Sequence, residues 1–311
     1  MKIYKGLQNF KKPKKSIVTT GTFDGVHKGH VQIINKLSFK KKDEESVLIT
    51  FSPHPRIVLY PDQDLKLINT IDEKIELFKN YNIDHLIIQT FDYDFSRISS
   101  LDYVRDFLLK KIGLNKLVIG YDHHFGRNRE SSFEIIKDYS ELYNFELVRV
   151  LPFEEDGISI SSTKIRNYLE SGNMELANKF LGYKFNFIGK VVHGNGIGKS
   201  LGFPTANLSI KDANKLIPAI GVYAVWAYVK GIRHLGMLNI GNNPTFKSDN
   251  PITIELHILD FNQSIYSEEL KLVILHKIRN EKKFQSKEKL ISQLKEDEIR
   301  VKNYFNNLPP N

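Results

Sequence analysis

Short apolar runs alternate with helical patterns through the first half of the chain. The runs rich in β-branched residues predict five strands, Ser16–Thr20, Val47–Phe51, His85–Gln89, Leu117–Ile119 and Phe145–Val150. Between these runs, apolar residues spaced three and four positions apart predict helices over 27–38, 71–81 and 101–112. This alternation is typical of βαβ units, so we predict a parallel sheet that binds ligands at the carboxyl ends of its strands.

The pattern changes after Phe185. Runs such as 221–229 and 252–258 carry β-branched and aromatic residues and are separated by Gly, Pro and Asn, which predicts an antiparallel β-barrel. A short helix is predicted around 173–181, before the barrel. A C-terminal helix that packs against the barrel is predicted from an apolar stripe of Leu290, Leu294, Ile299 and Val301.

Length and composition favour two globular domains. A chain of 311 residues exceeds what one hydrophobic core usually organises, and we place the domains at 1–182 and 183–311. With 41% hydrophobic and 26% charged residues the chain is typical of a folded protein, and it has no continuous apolar run long enough to span a membrane. No apolar segment follows the N-terminal lysines, and the chain has no cysteine. We therefore expect a soluble, cytoplasmic protein.

The net charge of +9 raises the question of a nucleic-acid partner. Residues 1–180 hold 27 Lys and Arg against 25 Asp and Glu, while residues 181–311 hold 18 against 11, so the surplus lies in the second half. A modest basic surplus attracts ATP and other phosphorylated small molecules as readily as it attracts RNA. Charge alone does not decide between these ligands.

A candidate phosphate-binding segment lies where the first predicted strand runs into the first helix, with the sequence Gly-Thr-Phe-Asp-Gly-Val-His-Lys-Gly-His over 21–30. His27 and His30 are three residues apart, so they share a face in the first helical turn, where free N–H groups already favour an anion. Two imidazoles there can stabilise phosphoryl oxygens that gain negative charge. The other candidate nucleotide-binding residues of this segment are Gly21, Thr22, Phe23, Asp24, Gly25 and Gly29.

This segment resembles the His-x-Gly-His nucleotidyltransferase superfamily, whose loop and first helix bind the triphosphate of ATP. The resemblance implies an α/β Rossmann-like domain. A second segment of that superfamily is matched beyond the fifth predicted strand, where Ser161, Ser162, Thr163 and Arg166 can hold the leaving pyrophosphate while the hydroxyls also cap a helix. A Walker loop is excluded at Gly198-Lys199-Ser200 because His193 stands where that motif needs its first glycine.

Two further segments, 51–55 and 120–126, narrow the resemblance to the FAD synthetase domain of the bacterial bifunctional riboflavin kinase and FAD synthetase family. Both follow predicted strands, at the sheet edge expected to face the ligand. By this resemblance Asp122 contacts a nucleotide or flavin phosphate, and Phe125 lines the flavin pocket.

The second half contains a glycine-rich segment over 189–208 that ends in Gly-Phe-Pro-Thr-Ala-Asn. Its backbone N–H groups can bind phosphates, while the Thr205 hydroxyl and the Asn207 amide can ligate Mg²⁺. The string closely resembles the riboflavin kinase signature, which implies a β-barrel riboflavin kinase domain. The remaining residues that the resemblance assigns are Gly198 and Lys199 at the nucleotide and Gly202, Pro204 and Arg279 at the flavin.

Glu255 is the candidate general base of this second site. It lies in an otherwise apolar strand, where a carboxylate is costly unless it is paired or used in chemistry. By resemblance it takes the proton from the riboflavin 5′-hydroxyl as this oxygen attacks the γ-phosphate of ATP.

The sequence therefore predicts two successive reactions, phosphorylation of riboflavin to FMN and adenylylation of FMN to FAD, with ATP as co-substrate and Mg²⁺ as cofactor. We expect small-molecule substrates and neither nucleic acid nor membrane as partner. One alternative is a nucleotidyltransferase for another phosphorylated cofactor precursor, and a second is a basic RNA-binding protein on the same fold. The sequence leaves the oligomeric state open.

Overall fold

The computed structural model describes residues 1–121, 126–127, 131–194, 197–242 and 252–308, without the side chains of Ile197 and Lys199. Asp122 and Phe125, both predicted at the ligand site, lie outside the described residues. The chain divides into two compact units, Met1–Ser162 and Thr163–Asn311. Within the described residues, no helix combines the length and the apolar character needed to cross a bilayer.

The first unit is built on a six-stranded parallel sheet in the order β1-β4-β3-β2-β5-β6. Its strands are β1 (Lys2–Lys5), β2 (Ser16–Thr20), β3 (Glu45–Ser52), β4 (His85–Thr90), β5 (Leu114–Gly120) and β6 (Glu146–Val150). The five predicted strands and the parallel sheet are confirmed. Strand β1 was not predicted because it lies at the edge of the sheet and buries little, with Ile3 42% exposed, so its sequence lacks an apolar run.

Helices cover both faces of this sheet, since neighbouring residues of a strand point to opposite sides. Ile17 of β2 joins a core with Ile34 and Phe78, while the adjacent Val18 joins a core with Phe107. The helical segments are α1 (Lys28–Lys36), α2 (Pro55–Leu59), a 3₁₀ turn (Pro61–Gln63), α3 (Ile71–Phe78), α4 (Tyr93–Ser96), α5 (Ser100–Asp102) with a π-helical continuation (Tyr103–Ile112) and α6 (Phe133–Tyr143). The short strands β7 (Glu154–Glu155) and β8 (Ile158–Ser159) pair as a hairpin.

The second unit is a closed antiparallel barrel in the order β10-β13-β12-β11-β14-β9, which confirms the predicted barrel. Its elements follow two helices, α7 (Ser162–Ser171), which begins at the last residue of the first unit, and α8 (Met174–Leu181). They are β9 (Asn186–Val192), α9 (Ile197–Ser200), β10 (Ala206–Ser209), β11 (Gly221–Val229), β12 (Ile232–Asn242), β13 (Ile252–Ile258), β14 (Glu269–Arg279) and the C-terminal helix α10 (Lys287–Asn306).

Helix α10 packs on the barrel through one stripe of side chains. Val301 is fully buried there and Leu294 packs against the same cluster. The prediction for Ile299 is wrong, because this residue is 59% exposed. It lies five positions after Leu294, which is about 140° around a helix of 3.6 residues per turn. The stripe is completed by Asp297, which is three residues after Leu294 and fully buried.

Candidate active sites

The loop that joins β2 to α1 has an unusual backbone. Phe23 and Val26 adopt positive φ angles of 48° and 37°, and Gly25 between them has a φ of 92°. Positive φ is uncommon for residues with a Cβ and rarest for β-branched ones, so surrounding contacts must hold this loop in place. The side chains of Phe23 and Val26 are 2% and 1% exposed and belong to the core, so Phe23 offers a ligand its backbone only.

Asp24 fastens the loop to the rest of the first unit. Its carboxylate accepts hydrogen bonds from the N–H groups of Ile68 and Asn69, at 2.9 and 3.3 Å. Its carbonyl oxygen accepts one from the Ser162 hydroxyl at 2.8 Å. Asp24 is 2% exposed, so its described contacts hold the loop rather than reach into solvent.

The backbone of the loop has two N–H donors available, at Thr22 and at Phe23. The carbonyl oxygen of Thr22 accepts hydrogen bonds from Thr50 Oγ1 at 3.2 Å and from Lys74 Nζ at 3.1 Å. The N–H groups of Thr22 and Phe23 make no hydrogen bond to any residue that the structure describes. Such N–H groups beside a helix N-terminus are suited to bind a phosphate.

The predicted histidine pair is brought together at the start of α1. His27 is the N-cap residue, and its Nδ1 accepts a hydrogen bond from the N–H of His30 at 3.3 Å. The two rings stack with 3.6 Å between centroids and 15° between planes, and the ring of Phe23 meets His30 edge-on at 5.3 Å. Gly29 permits this packing, because a Cβ at that position would lie 3.2 Å from the His27 ring.

Burial changes the chemistry of His30. Its Nδ1 is buried and has no hydrogen-bond partner among the described residues. The pKa of its imidazole is well below the ordinary value because the ring is removed from water, and the charges of His27 and Lys74 lower it further. His30 is therefore neutral near pH 7 in the free protein and can gain a proton when a negatively charged ligand arrives.

The second predicted segment spans the position along the chain at which the first unit ends and the second begins. Ser161 and Ser162 belong to the first unit, whereas Thr163 and Arg166 lie on α7 in the second. Ser162 begins that helix and its hydroxyl holds the carbonyl of Asp24 in the β2–α1 loop. Within the first unit, Ser162 of the second segment therefore contacts Asp24 of the first segment.

In the second unit Glu255 of β13 lies between two asparagines. Its register partners are Asn207 on β10 and Asn239 on β12. Strand β13 alternates, with Ile254 and Leu256 buried, so the half-buried Glu255 lies on the opposite face. Burial raises the pKa of the Glu255 carboxyl.

Glycines allow the phosphate-binding segment to approach these strands closely. A Cβ at position 194 would lie 1.8 Å from Nδ2 of Asn207, which no side chain tolerates. A Cβ at position 198 would lie 2.4 Å from the carbonyl oxygen of Phe203 and 2.8 Å from Thr205 Oγ1. The backbone at Gly194 and Gly198 therefore lies directly against Asn207 and Thr205, the two predicted metal ligands.

The segment from Gly202 to Pro204 is fixed by its backbone. Gly202 has a φ of 82° and no other atom lies within 4 Å of where its Cβ would be, so its conformation rather than crowding requires glycine. The carbonyl oxygen of Pro204 is 2.8 Å from Nδ1 of His257, whose ring meets Phe203 edge-on at 5.4 Å. The side chain of Lys199 lies outside the described residues.

Arg279 is engaged in a buried ion pair. Its Nε and Nη2 donate to the carboxylate of Asp297 at distances of 2.7 to 2.9 Å, and its Nη1 donates to the carbonyl of Asn280 at 2.9 Å. The Asp297 side chain is 0% exposed and that of Arg279 10%. This guanidinium therefore joins the end of β14 to helix α10.

Sequence reasoning missed Lys74 and Asn239. Lys74 is 4% exposed, and it interrupts the apolar face of α3 formed by Ile71 and Phe78, three positions before it and four after it. A lysine inside an apolar stripe is a signal that the sequence did contain. Asn239 has no such signal, because its place beside Glu255 depends on the register of two strands.

Two family models together match most of the chain. Residues 9–164 match the model for FAD synthetase, and residues 181–305 match the model for riboflavin kinase. The first match contains the stacked histidines His27 and His30, and the second contains Asn207 and Glu255.

Curated relatives and a solved structure extend over the whole chain. A bifunctional riboflavin kinase/FMN adenylyltransferase of Buchnera aphidicola from Schizaphis graminum is 37% identical, over 98% of this chain and 99% of its own length. The Escherichia coli K12 protein of the same name is 31% identical over 98% of each chain. A Streptococcus pneumoniae crystal structure described as a macrolide-efflux protein superposes with a TM-score of 0.88 at 32% identity, covering 97% of this chain and 98% of that one. The chain belongs to the bifunctional riboflavin kinase/FMN adenylyltransferase family.

Proposed function

We propose that this chain makes FAD from riboflavin in two steps, by phosphorylating riboflavin to FMN and then transferring an adenylyl group from a second ATP to FMN. The observation that supports the proposal is that each matched region contains one of the two candidate sites. The stacked His27 and His30 lie in the FAD synthetase region, and the paired Asn207 and Glu255 lie in the riboflavin kinase region. We expect the functional division to follow the predicted domains, 1–182 and 183–311.

In the kinase step Glu255 is the general base. Its carboxylate takes the proton of the riboflavin 5′-hydroxyl while that oxygen attacks the γ-phosphorus of ATP, and ADP leaves. Burial supports this role, because a carboxyl with a raised pKa accepts a proton more readily than one in water. Gly198 and Lys199 of the glycine-rich segment bind the phosphates, as the family resemblance implies.

Mg²⁺ fits the donors that accompany Glu255. Thr205 offers a hydroxyl oxygen and Asn207 an amide oxygen, and oxygen ligands are those that Mg²⁺ prefers. Both lie against the glycine backbone at Gly194 and Gly198, the part of the chain proposed to bind phosphates. The ion supplies neutralisation of phosphate charge in the reaction. Thr205 and Asn207 would hold the ion.

In the adenylyl step an oxygen of the FMN phosphate attacks the α-phosphorus of ATP, and the bond to the pyrophosphate breaks. No protein nucleophile takes part, so the site acts by positioning and by stabilising charge. His27 and His30 bind the phosphates at the N-terminus of α1, together with the available N–H groups of Thr22 and Phe23. The further residues proposed for this nucleotide are Gly21, Asp24, Gly25, Gly29, Ser161, Ser162, Thr163, Arg166 and Asp122.

The flavin contacts follow from the resemblance. Gly202 and Pro204 contact the flavin of the kinase step through a segment whose carbonyl is held by His257. The resemblance assigns Arg279 to the flavin site of the kinase step. Because its guanidinium is bound to Asp297, we propose that it contributes by holding the end of β14 in place. Phe125 lines the flavin pocket of the adenylyl step.

A time course tests the proposal. Wild-type protein is incubated with riboflavin and MgATP, and riboflavin, FMN and FAD are separated by chromatography at intervals. We expect FMN to appear first and FAD to follow as FMN is consumed. Absence of either product would refute the corresponding step. Omitting Mg²⁺ tests the metal, and we expect FMN formation to stop.

A further inference from the structure

A buried lysine donates a hydrogen bond to the backbone of the β2–α1 loop. Lys74 on α3 is 4% exposed, and its Nζ makes one hydrogen bond within the described residues, to the carbonyl oxygen of Thr22 at 3.1 Å. Burial lowers the pKa of its ammonium group, and the negative charge of Asp24 opposes this effect. Burying a lysine is costly, so a lysine at this place calls for a specific reason.

The geometry of the peptide group supplies that reason. A trans peptide is planar, so its N–H points opposite to its C=O, and fixing one fixes the other. Lys74 and Thr50 both donate to the carbonyl of Thr22, which sets the direction of the Phe23 N–H. This N–H has no partner among the described residues and lies in a loop with strained φ angles.

We propose that Lys74 is a positioning residue for adenylyl transfer, which fixes the Thr22–Phe23 peptide so that the Phe23 N–H meets a phosphate of ATP. The inference rests on the proposed function of the first unit. It assigns a role to a residue that does not itself touch ATP. The positive charge of Lys74, within hydrogen-bond distance of the loop, also favours binding of a negatively charged triphosphate there.

The first test replaces Lys74 while keeping the volume of its side chain. For Lys74→Met we expect kcat/KM for ATP in FAD formation to fall by about 100-fold, since a small displacement of a binding group has effects of that order. FMN formation by the same protein stays unchanged. We expect Lys74→Arg, which keeps a charged donor, to retain most of the wild-type kcat/KM for ATP. The matched control is Lys79→Met on the exposed end of the same helix, where the side chain is 52% exposed and no effect is expected.

The second test removes the other hydrogen bond to the Thr22 carbonyl, which Thr50 donates. It remains informative if the Lys74→Met variant does not fold. Thr50 and Thr19 are both buried strand threonines whose Oγ1 donates to a carbonyl, that of Thr22 and that of Val118 respectively. Each loses one hydrogen bond on replacement by valine. We expect Thr50→Val to lower kcat/KM for ATP by about 10-fold, the effect of one such bond, and Thr19→Val to leave it within about twofold.

The outcomes separate the inference from the proposed function. If wild-type protein makes no FAD, the proposed function of the first unit fails. If wild-type protein makes FAD and a folded Lys74→Met variant makes it equally fast, the role of Lys74 is refuted while the function stands. Equal losses in Thr50→Val and Thr19→Val overturn the proposed effect of the Thr22 carbonyl.

Discussion

The rings of His27 and His30 stack at 3.6 Å, closer than the separation of most aromatic pairs, at the first turn of α1. Two cationic imidazoles at this distance repel each other, so the pair disfavours double protonation in the absence of a ligand. A bound triphosphate reverses that balance, because its negative charge stabilises imidazolium. For the proposed phosphate site we therefore expect protonation of His30 to be coupled to binding of ATP.

Replacing His30 by alanine separates the two activities. His30→Ala removes a group proposed to bind phosphate charge in the transition state, and we expect the loss of one such group to lower kcat by on the order of 100-fold or more. FMN formation is expected to continue at the wild-type rate, because Glu255 lies in the other unit. Chromatography of the flavins after incubation with riboflavin and MgATP measures both rates. Loss of both activities in a folded His30→Ala variant contradicts two separate sites.

The lowered pKa of His30 makes the first unit sensitive to acid. The folded protein binds this proton less readily than the unfolded chain, so the unfolded state takes up more protons as the pH falls below about 6.5. The free energy of unfolding therefore decreases below that pH, by up to about 1.4 kcal/mol per pH unit, until the pH reaches the folded-state pKa.

Urea unfolding between pH 5 and pH 7.5 measures this dependence. We expect His30→Gln to flatten it, because glutamine does not titrate. His234→Gln, in the second unit, serves as the control for a histidine-to-glutamine substitution outside the first unit. An unaltered pH dependence in His30→Gln would show that His30 is not the group responsible.

The fold was predictable where apolar residues form continuous runs or recur with a clear period. The buried strands Ser16–Thr20 and His85–Thr90 carry apolar runs, so the parallel sheet followed from the sequence. Strand β1 buries little and carries no such run. The helix stripe was misjudged at Ile299 for a related reason, since a fully buried carboxylate, Asp297, takes the place that an apolar residue was expected to fill.

The candidate sites were predictable as motifs but not as geometry. The positions of His27 and His30 followed from their spacing, whereas the stacking of their rings depends on Gly29 and on the positive φ angles before them. The pairing of Glu255 with Asn239 depends on strand register, which a single sequence does not specify.

Glu255→Gln tests the kinase step. The substitution keeps the size of the side chain but removes the proposed base, so we expect kcat for FMN formation to fall by on the order of 10² to 10⁴-fold. FAD formation from added FMN stays unchanged. In wild-type protein kcat/KM for riboflavin should decline on the acid side with a pKa above the ordinary carboxyl value, because burial raises the pKa of Glu255. Glu269→Gln, at an exposed position of β14, is the matched control.

The Arg279–Asp297 pair carries a prediction about stability. Asp297→Ala leaves a nearly buried guanidinium without its carboxylate, which costs about 3 to 5 kcal/mol in the free energy of unfolding. Glu296→Ala breaks the neighbouring pair with Arg300, whose side chains are 51% and 50% exposed, and costs less than about 1 kcal/mol. Urea unfolding of the second unit measures both. Equal costs for the two variants would contradict a structural role for the buried pair.

The most direct test of the central claim mixes two variants, each of which is expected to lack one of the two activities. His30→Ala retains the kinase site and Glu255→Gln retains the adenylyl site, so neither variant alone should convert riboflavin to FAD. Equal amounts of both, incubated with riboflavin and MgATP, are expected to produce FAD, because the FMN made by one protein is adenylylated by the other. Glu255→Gln alone should adenylylate added FMN. If it does so and the mixture still makes FMN but no FAD, the claim that the two sites work independently through free FMN is contradicted.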